Sequence, residues 1–151
     1  FNKRVSKADL HIHVNGAIDE AMAFILMGKH YMRVPEVLHD MDEIHERLFQ
    51  IAYEIALNNP EKKITTEEHV VWLENRLDYY DSFLEPLKKF IKLDQTKAAS
   101  WLNLARVTVR RAERELVMLA NEQDINTYTL AFINRLSDFL FTVGRYFDEV
   151  K

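Results

Sequence analysis

Apolar residues recur at alternating steps of three and four along most of the chain, and that rhythm admits few folds. One window runs Val37, Met41, Ile44, Leu48, Ile51, Ile55. A second runs Val70, Leu73, Leu77, Tyr80, Leu84, Leu87, Ile91. A third runs Ala98, Leu102, Ala105, Val109, Ala112, Leu116, Leu119, and a fourth Leu130, Ile133, Leu136, Leu140, Val143, Phe147. A stripe this narrow and this long belongs to helices that pack side by side. With three Gly and three Pro in 151 residues, the chain is also short of turn formers, which favours few long elements over many short ones.

The punctuation between windows fits. Pro35 suits the first turn of a second helix, and Asn58-Asn59-Pro60 ends it. Thr65 and Glu68 have capping-box spacing for the third helix, which Pro86 should kink or end early. Asn121 through Asn126 is a short polar connection that makes the last two helices antiparallel neighbours. A shorter first helix is expected from about Ala17 to Met32, after an extended lead-in at residues 8–14 with a turn at Gly16. The expectation is an all-α, five-helix up-and-down bundle, one domain over residues 1–151, without a sheet.

Charge narrows the partners. A net charge of −4 with a pI near 5.9 argues against a general nucleic-acid or membrane-surface binder. No apolar stretch approaches the roughly 20 residues that span a bilayer, and the N-terminus does not read as a signal peptide. A cytoplasmic location is expected. The absence of Cys removes thiolate chemistry and Cys-based zinc sites.

Two metal readings need weighing. His11 and His13 form a His-x-His of the kind that opens a metal-dependent amidohydrolase barrel. That barrel needs about 250 residues of alternating strand and helix, whereas this chain is shorter and continues after Gly16 as helix upon helix. A di-iron bundle needs two Glu-x-x-His motifs on different helices plus two further Glu. Glu36 and His39 supply one, while Asp42 and His45, the nearest second pair, fall on the same helix. No metal ligands are assigned.

Chemistry concentrates in the last two helices. Arg106, Arg110 and Arg114 recur every four residues in "RVTVRRAER" and share a face, with Glu113 beside them. Like charges at that spacing repel, so an anion should answer them, and guanidinium forks suit phosphate oxygens. The alternative is a solvated charged face with ordinary ion pairs, the role expected of Arg111. In "FINRLSDFLF", Asn134 and Asp138 lie one turn apart, with Leu136 and Leu140 turned to the core.

These two segments resemble the PduO-type ATP:cob(I)alamin adenosyltransferases. The family's R-x-x-x-R-R-A-E-R is similar to Arg106–Arg114, and its Y-L-N-R-L-S-D-x-L-F to Phe132–Phe141. Upstream, "KRVSK" at Lys3–Lys7 resembles G-x-R-V-x-K, and "NGAIDEA" resembles Y-G-T-x-D-E-L. "LKKFIKLD" at Leu87–Asp94 resembles L-x-x-F-I-L-P-G-G. The resemblance implies a five-helix bundle assembling as a homotrimer with active sites between subunits. It implies transfer of the 5′-deoxyadenosyl group of ATP to the cobalt of a reduced corrinoid (cobalamin), with Mg²⁺ sharing the charge of the triphosphate and a reductase as a further partner.

Carried onto this sequence, the resemblance implies that Arg110 and Arg114 contact the polyphosphate, with Lys7 reaching it too. Asn134 with Glu113 orients the nucleotide. Asp19 and Arg106 pair across the subunit boundary, and Asp138 is a structural partner for the Arg face. Phe90 matches the aromatic that displaces the lower ligand of cobalt; read from its position alone, it is a core residue ending the third helix. The chain also departs from the pattern. The family's T-x-x-G-D-x-G-T phosphate segment has no counterpart in residues 1–151, Asp94-Gln95-Thr96 replace P-G-G, Ala21-Met22 follow Asp19-Glu20, and Asn103 stands for a His. A second reading is therefore kept: a trimeric fold-mate that binds nucleotide or corrinoid without turnover.

Overall fold

The computed structural model describes residues 6–151, apart from the side chain of Lys7. The described residues form five helices and no strand: α1 (Lys7–Lys29), α2 (Pro35–Leu57), α3 (Glu67–Asp81), α4 (Lys97–Ala120) and α5 (Thr127–Glu149). No helix is long and apolar enough to cross a membrane.

Contacts between named residues give the direction of each helix. Asn15 of α1 donates to the carbonyl of Ala52 near the end of α2, and Lys29 at the end of α1 pairs with Asp42 early in α2, so the two run antiparallel. Asp40 of α2 meets Arg76 and Tyr80 late in α3, while Glu54 holds Thr65 ahead of it, another antiparallel pair. His11 and Gly28 of α1 meet Gln123 and Trp101, at opposite ends of α4. Glu113 of α4 meets Asn134 of α5, and Thr96 meets Asp148. Directions thus alternate up and down as expected, but the order in space does not follow the chain: α5 lies between α3 and α4. Residues 82–96 therefore cross over the C-terminal end of α5.

The central position of α5 explains its burial. From Phe139 to Phe147 only Phe141 is not buried, and Tyr80, Phe83, Tyr146 and Phe147 stack edge-to-face there. The residues that end and begin the other helices act as their chemistry dictates. Asn58 closes α2 in the left-handed conformation at φ 50°, which Asn tolerates better than most. Helix α3 stops at Asp81, well before Pro86.

Three expectations are corrected. Helix α1 starts at Lys7, not near Ala17, and residues 8–14 are helical. Ser6 caps it by accepting the N–H of Asp9 at 3.2 Å, and Leu10, Val14, Ala17, Ala21 and Ile25 form its buried stripe. Small alanines and the outward-facing Ile12, Leu26 and Met27 blur that stripe in the sequence. Gly16 is accordingly mid-helix, with nothing within 4 Å of where a Cβ would stand. Finally, the cap of α3 is Thr66, not Thr65, and its box partner is His69, whose Nδ1 accepts the Thr66 N–H at 3.0 Å. Thr65 is instead buried and bonded to Glu54.

Candidate functional site

The seam between α4 and α5 collects most of the polar residues singled out in the sequence. The α4 stripe Ala105, Val109, Ala112 and Leu116 is buried, which turns Arg110 and Arg114 outward and leaves Arg106 half-buried. Across the seam, Asn134 Nδ2 donates to Glu113 Oε2 at 2.6 Å, and Arg135 Nη1 donates to Asn134 Oδ1 at 3.1 Å. Glu113 and Asn134 are thus brought together beside Arg110 and Arg114. Arg135 is itself anchored by Glu74 of α3 at 3.2 Å.

No carboxylate pairs with Arg106, Arg110 or Arg114 among the described residues. The guanidinium of Arg106 donates to no carboxylate among the described residues; its Nε donates to Asn103 Oδ1 at 2.9 Å, and its Cζ lies 5.9 Å from the centre of the Phe141 ring. Burial, and then the neighbouring Arg110 charge, push the Arg106 pKa below its ordinary value. The cation row therefore makes no ion pair among the described residues. Arg111 behaves differently: it faces α1 and pairs with Glu20 at 2.7 Å, the ordinary surface role expected of it. That hydrogen bond raises its pKa.

Asp19 is exposed on α1, at the edge of an apolar depression formed with Met22, Phe49, Ala52 and Tyr53, and it does not meet Arg106 within the chain. Asp138 is not bonded to the Arg face. Four residues advance a helix by about 40° beyond a full turn, which carries Asp138 round to the α3 side. There it lines a cleft of about 630 Å³ with Glu74, Asp78, Asp81 and Arg135. Lys7 begins α1, but its side chain lies outside the described residues, as does most of the "KRVSK" segment. His11 and His13 both lie within α1, so the His-x-His motif is part of a helix and not of a strand, and His11 Nε2 is 3.0 Å from Gln123 Oε1. Glu36 of the Glu-x-x-His motif bonds Arg76 at 3.3 Å.

Phe90 belongs to no helix and to no core. It stands wholly exposed on the crossing segment, which overturns its reading as a core aromatic of the third helix. Two anchors hold that segment. Arg145, a buried cation in α5, donates from Nη2 to the carbonyl of Glu85 at 2.7 Å and pairs with Glu149 at 2.8 Å. At the other end buried Leu93 sits on Gly144, so close that a Cβ there would lie 2.9 Å from Leu93 Cδ1, and the Leu93 carbonyl accepts from Ser100 Oγ at 2.9 Å. Between the anchors, Pro86 through Phe90 and Lys92 are exposed. The Asp94-Gln95-Thr96 replacement has a local reason: Thr96 caps α4 through the Ala99 N–H and donates to Asp148. Sequence reasoning missed Arg145, although a lone Arg inside the apolar run "FTVGRYF" was a usable signal.

Comparison with known proteins shows the family. The cobalamin adenosyltransferase family matches residues 1–147. A corrinoid adenosyltransferase of Bacillus subtilis (strain 168) is 35% identical over 147 residues, which are 94% of this chain and 76% of that protein. The corrinoid adenosyltransferase PduO of Citrobacter freundii is 32% identical over 151 residues, and there the chain spans less than half, 45%, of the relative. Among solved structures, a variant PduO-type enzyme of Lactobacillus reuteri complexed with ATP superposes with TM-score 0.86 at 33% identity, covering 98% of this chain and 86% of that one. Another variant of it, complexed with cobalamin and ATP, gives 0.84 at 33% identity over 95% and 81%. With the family matched over nearly its whole length and the fold reproduced at that identity, the chain belongs to the cobalamin adenosyltransferase family.

Proposed function

We propose that the chain transfers the 5′-deoxyadenosyl group of ATP to the cobalt of a reduced corrinoid. Cobalt in the +1 state is a strong nucleophile and attacks C5′ of the ribose. A Co–C bond forms, the C5′–O bond breaks, and triphosphate departs with the electron pair. No protein base is required. The protein's work is to align cobalt with C5′ and to hold the departing charge.

The observation that carries this reading is the row of guanidinium groups on α4, none of which pairs with a carboxylate among the described residues. Arg110 and Arg114 are free to take polyphosphate oxygens, with Lys7 reaching the same anion. Glu113 and Asn134, already bonded to each other, present a fixed acceptor and donor for the nucleotide. Phe90, exposed on its anchored strap, offers the apolar surface that displaces the lower ligand of cobalt. Among the described residues no three His, Asp or Glu side chains converge as a metal site. Mg²⁺ is accordingly assigned to the polyphosphate itself, where it would offset charge on the leaving group.

Asp19 and Arg106, neither of them in an ion pair among the described residues, are assigned to each other across the boundary of a homotrimer. The exposed apolar residues Phe49 and Tyr53 beside Asp19 suit that same boundary. Residues 1–151 act as one domain, and a cytoplasmic setting suits a reaction that needs ATP and a strong reductant. The test is spectroscopic: cobalamin reduced to the +1 state, mixed with Mg-ATP and the protein, should give the spectrum of adenosylcobalamin. Binding of both reactants without that spectrum would leave a fold-mate without turnover and end the enzyme reading.

A further inference from the structure

We infer that Arg135 is a positioning residue for ATP, acting through Asn134 to hold Glu113 out of the arginine row of α4. The inference rests on the adenosyl-transfer reading and adds to it a residue that touches no substrate itself.

Glu113 is three residues from Arg110 and adjacent to Arg114. A carboxylate three positions along a helix from an arginine is within reach of an ordinary ion pair with it. Among the described residues Glu113 forms no ion pair. Its Oε2 instead accepts from Asn134 Nδ2 at 2.6 Å, across the seam on α5. Without that bond Glu113 is free to turn to Arg110 and neutralise a charge that the triphosphate needs.

An exposed asparagine does not keep one rotamer unaided, and Asn134 is exposed. Its two ends are held by opposite charges. Arg135 Nη1 donates to Oδ1 at 3.1 Å while Nδ2 donates to the Glu113 carboxylate, so both bonds are charge-assisted. Arg135 is drawn in turn by α3, where its Nε donates to Glu74 Oε2 at 3.2 Å. The side chains of Glu74, Arg135, Asn134 and Glu113 therefore run in series across α3, α5 and α4. Asp78, Asp81 and Asp138 line the same cleft as Arg135, yet none of them pairs with it among the described residues. The cation instead spends one N–H on a neutral amide. The side chains of Arg135 and Glu74 are 46% and 45% exposed. A pair that open to water adds little to the stability of the bundle, so its effect is expected on the nucleotide.

The test is a double-mutant cycle on the affinity for Mg-ATP, measured by titration calorimetry. Arg135→Met removes the donor to Asn134 and keeps the unbranched stem. It should raise the Kd about fivefold, the upper range for a charged contact at a protein surface. Glu74→Ala, which takes away the α3 partner of Arg135, should weaken binding in the same direction by a smaller factor. In an Asn134→Ala background, Arg135→Met should change the Kd by less than about 1.5-fold, because the side chain it acts through is gone. An equal loss with and without Asn134 overturns the inference, since Arg135 then acts on the nucleotide directly or on the bundle as a whole. No loss from Arg135→Met in the parent overturns it as well. The readout does not need turnover. A parent that binds Mg-ATP but forms no adenosyl product refutes the activity alone, and a parent that does not bind Mg-ATP refutes both.

Discussion

Replacing Arg145 with Met removes the cation that ties the Phe90 strap to α5 while keeping an unbranched apolar stem in its place. The ion pair with Glu149, which is partly exposed, contributes at most about 1 kcal/mol. The bond to the Glu85 carbonyl differs, because its donor is charged and buried at 7% exposure. Such bonds contribute about 1.5–3 kcal/mol. Since the Leu93 anchor is untouched, that amount is the cost of detaching one end of the strap. It corresponds to a rise of about 10- to 150-fold in the detached population. Lys88, Lys89 and Lys92 are tryptic sites within this segment, and cleavage tracks the open fraction when closing is fast. Tryptic cutting after these lysines should accelerate by that factor in Arg145→Met. Adenosyl transfer should slow as Phe90 loses its fixed position, and ATP affinity should not change. A cleavage rate within about twofold of the parent would refute the claim that Arg145 holds the strap.

Other expectations rest on separate observations. Arg110→Ala should lower kcat/KM for ATP by at least about a hundredfold, on the scale of a lost charge-stabilising donor, with unchanged helical circular dichroism; ATP binding like the parent's would remove the phosphate role. Asp19→Lys should shift the sedimentation profile from trimer toward monomer, and Asp19→Lys with Arg106→Asp should restore it; an unaltered profile in the single variant sinks the pairing. Gly16→Ala should raise stability by about 0.5–1 kcal/mol, since nothing crowds the added methyl; a lowered urea midpoint would show that face to be covered. His69 has a pKa below 6.5, from burial first and the Arg47 cation second. Its neutral Nδ1 accepts the Thr66 N–H, so its contribution is complete above about pH 6.5 and is lost as pH falls through the lowered value. Urea midpoints should therefore fall on that side, and His69→Gln should flatten the fall; equal slopes in both proteins would refute it.

The long helices were legible because their stripes are made of large apolar residues: Ile44, Leu48 and Ile51 in α2, Leu136 and Leu140 in α5. Helix α1 was legible only from its middle, since Ala17 and Ala21 carry weak hydrophobic signal and Ile12 faces water. Glycine at position 16 and the His-x-His pair pointed away from helix, and tertiary burial of Leu10 and Val14 outweighed them. At the site, one-turn spacing placed Arg110 and Arg114 together, and Glu113 met Asn134 because α4 and α5 are antiparallel. Asp138 escaped that logic through the helical drift that carries it toward α3. The spatial order of helices, with α5 between α3 and α4, leaves no mark on local periodicity. Nor does a strap pinned by Arg145 and Gly144, residues over fifty positions from the segment they hold.

The central claim is that the α4 guanidinium row gathers a nucleotide's phosphate tail where identical chains meet, and a crystal structure of the protein grown with ATP tests it most directly. The account predicts triphosphate oxygens on Arg110 and Arg114, beside the Glu113–Asn134 pair, at a boundary between copies. A triphosphate bound elsewhere, or the two arginines fully engaged by carboxylates of a neighbouring copy, would contradict it.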